Sequence, residues 1–159
     1  MSVNKEQFIA AKQATYIRLN QAINSFYQNP TAKTWQYIAV ELGNAVIYNV
    51  DVHVPVNNID GELSYSFLTL KDLGYAYKVC SSPKELEKCE EESSIIIPVR
   101  NFFEEVAKDT VAGVVFNPNS GNDAIVFLST ANVRNILKMG YGHIAEQPED
   151  VKEFLLKEI

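Results

Sequence analysis

Two cysteines, Cys80 and Cys89, and two histidines, His53 and His143, are all that the chain offers for thiol or soft-metal chemistry. A structural zinc site takes four Cys or His ligands, so a zinc centre would have to draw all four residues together. Asp51 and His53 stand two residues apart in an alternating run and share a strand face, a two-point foothold for a metal at most. Such polar residues are the ordinary content of an exposed antiparallel face. Asn117, Asn119, Gly121 and Asp123 have the spacing that opens a calcium loop, yet Leu128 stands where the bidentate Glu belongs. Turn capping by side-chain amides accounts for these residues more simply. The expectation is therefore no metal and no cofactor.

Cys80 lies just ahead of Ser82-Pro83-Lys84-Glu85, which combines a capping hydroxyl, a first-turn proline and a Glu placed to reach back to the cap amide. A thiolate beside a helix start is stabilised by the helix dipole. That defines the one chemical alternative, a small thiol-dependent enzyme or redox sensor using Cys80. No His or Lys base is set beside it by spacing, and both cysteines are expected as thiols because a chain of this size in a reducing compartment needs no staple. There is no Gly-rich phosphate loop, no Gly-x-Ser-x-Gly elbow and no His-Glu-x-x-His, so no catalytic residue is expected. What remains is aromatic. Among eight tyrosines, Tyr65, Tyr75 and Tyr77 alternate along neighbouring predicted strands, where they form either a docking face or cross-strand packing beneath helices. With the turn residues Asn117, Asn119 and Asn122 they make up the expected interaction surface. The loop from 57 to 61 is a second expected contact.

The elements that must position these residues follow from periodicity. Ile9, Tyr16, Leu19, Ile23 and Phe26 fall on one helical stripe between Asn4 and Gln28. Asn29-Pro30 breaks that helix, and a second one with Trp35, Ile38, Ala39 and Leu42 on its inner face is expected to stop at Gly43, forming a helical hairpin. From Ala45 to Val56 the period changes to two, predicting a strand with Val46, Tyr48, Val50, Val52, Val54 and Val56 on one side. Leu63, Tyr65 and Phe67 continue in a second strand, and Tyr75, Tyr77 and Val79 in a third, an antiparallel meander. A short helix starts at Pro83. Ile95-Ile96-Ile97-Pro98-Val99 reads as a strand buried on both faces, followed by a helix from Asn101 to Lys108. A strand over 111–116 should pair antiparallel with one over 124–128. A helix capped by Ser129 or Thr130 is expected to end at Gly140, and Pro148 opens a last helix carrying Val151, Phe154, Leu155 and Glu158 on one face.

The 159 residues, 47% of them hydrophobic, suit one domain of the α+β class: a mixed, largely antiparallel sheet covered by helices, with an N-terminal helical hairpin and a C-terminal helix. A net charge of -6 with scattered basic residues argues against a nucleic-acid partner. The acidic block from Glu85 to Glu92 reads as a solvated helix face. No apolar run approaches the roughly 20 residues of a membrane span, and the first residues lack a basic and then apolar leader. The expected location is the cytoplasm.

Ile96-Ile97-Pro98-Val99, the Phe102-Phe103 helix, Gly113-Val114-Val115-Phe116-Asn117-Pro118, a Gly turn and Ala124-Ile125-Val126-Phe127-Leu128 follow one another in an order that resembles the N-terminal domain of the bacterial enhanced-serine-sensitivity (SseB) protein family. Val52 to Val56, Ser66 to Leu70 and Tyr77 to Glu85 are similar to that family's first strand, second strand and strand-to-helix junction. The resemblance runs from about Thr31 to Leu137, with Cys80 where the family often has Phe. It implies a non-enzymatic protein-interaction or adaptor module with an unidentified protein partner. A homodimer joined through an exposed sheet edge is a further reading.

Overall fold

The computed structural model describes residues 3–121 and 124–157. Asn4 caps α1 (Lys5–Gln28), its side chain accepting from the Gln7 amide, and Thr31 caps α2 (Ala32–Tyr48) in a reciprocal box with Thr34. The two helices form the expected hairpin, tied by Arg18 Nε donating to Glu41 at 2.9 Å. The buried face of α1 is Thr15, Leu19, Ala22 and Ile23; Ile9, expected on that stripe, is exposed.

Gly43 does not end α2. Ile38, Leu42, Ala45 and Val46 continue one helical stripe, and the stop comes at Asn49 in left-handed conformation (φ 54°). The period-two reading of Val46 and Tyr48 is thereby corrected, and the first strand is β1 (Asp51–Ile59). Gly140 likewise lies inside α5 (Thr130–Ala145), which Ser129 caps. A Cβ on Gly140 would sit 2.4 Å from Val46 Cγ1, so this glycine exists to let α5 approach α2. Gly142, two residues on, faces open space. Gly140→Ala should therefore cost about 1–3 kcal/mol by overpacking, while Gly142→Ala should add about 0.5–1 kcal/mol from helix propensity alone. Urea denaturation of the two variants checks the opposite signs.

The meander is replaced by two sheets. Asp60 and Gly61, both at positive φ, make a two-residue hairpin between β1 and β2 (Glu62–Tyr65), so Asn57 to Ile59 belong to a strand and only the tip is loop. At Ser66 the chain leaves this sheet, and β3 (Phe67–Leu70) pairs with β4 (Gly74–Val79) in the other. After α3 (Pro83–Leu86) come β5 (Ser93–Pro98), α4 (Val99–Lys108), β6 (Gly113–Phe116), β7 (Val126–Ser129), α5 and α6 (Glu149–Lys157). The strand orders are β2-β1-β5 and β3-β4-β6-β7; every pair is antiparallel except β4 with β6. The sheets meet along a seam, where His53 and Cys80 exchange two backbone hydrogen bonds (2.9 and 2.8 Å) and the Ser66 amide donates to Pro55 O at 3.0 Å.

Every residue of β6 is buried, beneath a core that includes Phe102, Phe103, Phe116, Val133 and Leu137. β5 is an edge strand with one open face, so Ile96 is 66% exposed where burial on both faces was expected. The core is completed by α6, whose Phe154 lies against Phe8 of α1 with ring centroids 5.3 Å apart.

Candidate functional site

Three groups of side chains gather the residues singled out in the sequence. The first is an aromatic patch made by Tyr65 of β2 in one sheet and by Phe67, Tyr75 and Tyr77 of β3 and β4 in the other. Tyr65 and Tyr77 pack edge-to-face at 5.2 Å, and Tyr65 also meets Phe102 of α4 at 5.3 Å. The Tyr65 hydroxyl donates to Glu105 and the Tyr77 hydroxyl to Asp109 (2.6 Å). Desolvation, then these bonds to carboxylates, push both phenols up, Tyr77 to about 12. These two tyrosines thus lie partly beneath α4. Phe67 and Tyr75 form the next pair, edge-to-face at 4.8 Å, and they are 50% and 56% exposed. Phe67 was absent from the expected surface, although it shares the alternation that identified Tyr65.

The second group holds the turn amides. Asn117 is buried, not presented: in left-handed conformation (φ 50°) its Oδ1 accepts from the Ser81 amide and its Nδ2 donates to Ser81 Oγ, both at 2.9 Å. Asn119 is exposed but engaged, donating to Lys88 O at 2.7 Å. Asn122 lies outside the described residues. An open cleft of about 510 Å³ borders this turn, with Asn20, Asn24, Tyr27, Glu85 and Lys88 in its wall. Its polar groups are largely used up: Ser81 Oγ donates to Asn20 at 2.5 Å, Glu85 accepts from Lys88 (3.0 Å) and from Ser120, and the Tyr27 hydroxyl donates to Phe116 O (2.5 Å) while accepting from the Val126 amide (3.1 Å). The Glu85 carboxylate is therefore spent on Ser120 and Lys88 and not on the Ser82 amide, although Ser82 caps α3 as expected.

The third group is at the seam. Cys80 is fully buried, and its Sγ stands 3.6 Å from Sγ of half-buried Cys89; both are free thiols. Burial raises the pKa of each, and at Cys80 the neighbouring Cys89, Glu85 and Glu91 raise it further. That is the opposite of the electrostatics that would activate a nucleophile at the α3 cap. Beside the thiols Lys78 pairs with Glu91, which also accepts from Ser66 Oγ at 2.8 Å. Despite the desolvation opposing it, these partners hold the Glu91 carboxyl below its ordinary range. Glu91 Oε2 is buried and has no hydrogen-bond partner among the described residues. The sequence shows Cys89 only as a second thiol and Glu91 only as part of an acidic block expected to be a solvated helix face, whereas Cys89 lies against Cys80 and Glu91 in an ion pair with Lys78. The usable signal was a capped helical turn between two cysteines nine residues apart, which folds the second back toward the first.

Asp51 and His53 stay a pair. Burial lowers the His53 pKa, with Asp51 opposing, and among the described residues no group of three or more His, Cys, Asp or Glu is placed to hold a metal ion. No described helix is long and apolar enough to cross a membrane. No family model, curated protein or solved structure matches the chain.

Proposed function

We propose that this protein is a non-catalytic interaction module that receives an extended segment of a partner protein as an added strand along the free edge of β3. One observation carries the reading: β3, Phe67-Leu68-Thr69-Leu70, ends its sheet with neither charge nor proline, and it presents the half-exposed Phe67–Tyr75 pair beside that edge. Unprotected edges of this kind are what strand-adding recognition uses, with backbone hydrogen bonds giving affinity and side-chain contacts giving selectivity. The other edges are blunted. β5 carries Pro98, β2 opens on Glu62, and the Tyr27 hydroxyl of α1 takes up the Val126 amide of β7.

Exposed Glu105 and Asp109 accept from the hydroxyls of the neighbouring Tyr65 and Tyr77, and exposed Asp72 lies in the turn that joins β3 to β4. A matching segment alternates apolar or aromatic residues with Lys or Arg. The resemblance to the enhanced-serine-sensitivity family, whose implied role is an adaptor, supports the same reading.

Selection from a random twelve-residue peptide library on the folded protein is expected to return such alternating basic and apolar sequences. Phe67→Lys should weaken the best of them at least tenfold while leaving the melting curve unchanged, since the side chain is half in water. Peptides that bind equally well to this variant would overturn the assignment. So would a concentration-dependent dimer in light scattering that Phe67→Lys abolishes, which would make the occupant a second copy of the chain.

A further inference from the structure

The geometry points to Cys80 and Cys89 as a reversible dithiol–disulfide couple that, when oxidised, clamps the turn after α3 to the seam between the two sheets. The sulfurs are 3.6 Å apart, in hydrogen-bond contact but not covalently joined, and a disulfide needs about 2.05 Å. Closing that gap takes one mobile partner and one fixed one. Cys80 is the fixed one: its amide and carbonyl are both bonded to His53 across the seam. Cys89 is on irregular chain between α3 and β5, held by its amide to Leu86 O (3.0 Å) and, weakly, by its sulfur near Glu85 O (3.9 Å) and Asn119 Nδ2 (3.8 Å). A small rotation of this turn brings the sulfurs into bonding range without disturbing either ladder. Only Cys89 is open to solvent, so an incoming reagent meets it first.

The oxidant is a low-molecular-weight disulfide, RSSR. The Cys89 sulfur, having lost its proton, attacks one sulfur of RSSR; a Cys89–SR bond forms, the RS–SR bond breaks, and the departing RS⁻ takes up a proton. The Cys80 sulfur then attacks Cys89 Sγ, the Cys89–SR bond breaks, and the second RS⁻ leaves and is protonated by the proton Cys80 gives up. Two electrons pass from the protein to the reagent, and two RSH are released for one intramolecular disulfide. Burial, with Glu91 beside each sulfur and Glu85 beside Cys80, raises the pKa of both thiols, so the exchange is slow, on the scale of hours, and responds to sustained oxidising conditions. The ring encloses α3, and through the Asn119 bond to Lys88 O it reaches the β6–β7 turn. The couple rests on the two sulfurs alone and holds whether or not a partner adds a strand at β3.

The test uses the full native chain, incubated at mildly alkaline pH with millimolar oxidised glutathione, then unfolded in N-ethylmaleimide and weighed intact. The expected product has lost two hydrogens, carries no maleimide, and returns to two maleimide labels after dithiothreitol; peptide mapping joins residues 80 and 89. Cys80→Ser, its fold checked by circular dichroism, should accumulate a stable glutathione adduct on Cys89, because no second thiol is there to expel it. Two maleimide labels after oxidation, a persistent glutathione adduct on the unsubstituted protein, or a disulfide-linked dimer would each overturn the couple. The unsubstituted protein gives this answer by itself even if Cys80→Ser does not fold.

Discussion

Arg100→Met should lower the free energy of unfolding by about 3–5 kcal/mol, the largest loss expected from any single polar side chain here. Arg100 is 5% exposed, and its guanidinium donates to Val46 O (2.6 Å), Ile47 O (2.6 Å) and Leu155 O (2.7 Å). Those carbonyls belong to the last turns of α2 and α6, where the helical ladder leaves oxygens without donors and the macrodipole is negative. One cation therefore closes two helix ends. Burial pulls its pKa down, with Tyr141 and Glu104 opposing, so the three oxygens must outweigh the cost of taking the charge out of water. Methionine matches the stem but strands all three acceptors, each worth about 1–3 kcal/mol when buried and unpaired. Against a typical total of about 5–15 kcal/mol, the melting temperature should fall by roughly 10 °C or more. A loss under about 1 kcal/mol in urea titration would show that water replaces the guanidinium.

Asn117→Ala should cost about 2–4 kcal/mol. The Ser81 amide would lose its acceptor in a buried setting, Ser81 Oγ would lose a donor, and alanine would be forced to keep a left-handed backbone that Asn tolerates. Asn117→Gly separates these causes. It removes the same two bonds but not the conformational freedom, so it should recover about 1 kcal/mol relative to alanine. Equal losses for the two variants, read from chemical denaturation, would assign the whole effect to the hydrogen bonds.

Local chemistry was legible wherever one stretch of chain decides the outcome. Asn4, Ser82 and Ser129 announced helix starts, and each accepts from a backbone amide three residues on. The alternation at Tyr75 and Tyr77 holds within β4, but Tyr65 lies on β2 of the other sheet and meets Tyr77 edge-to-face. Gly43 and Gly140 were misread as terminators because a glycine that ends a helix and one that admits a neighbouring helix look alike until the neighbour is known, and α5 lies far along the chain from α2. The break at Ser66 had the same origin: nothing in Leu63 to Phe67 says that the strand changes sheets, since the change is set by Pro55 and Lys78 across the seam. Arg100 carried no signal at all, its partners being residues 46, 47 and 155. Asn117, expected on the surface, proved to be a fastener because the amide it caps is Ser81.

The parallel pairing of β4 with β6 orders events in time. Ala76 must wait for Gly113 to be available, and the intervening chain first contributes β5 to the opposite sheet. Neither sheet can be finished and set aside while the other assembles; the two are interleaved along the polypeptide like the strands of a plait. Local turns can form early, but the central contact closes a long loop whose entropy is lost before its burial is gained. Folding is thus committed late and as a whole, leaving no half-chain that could persist as an independent piece.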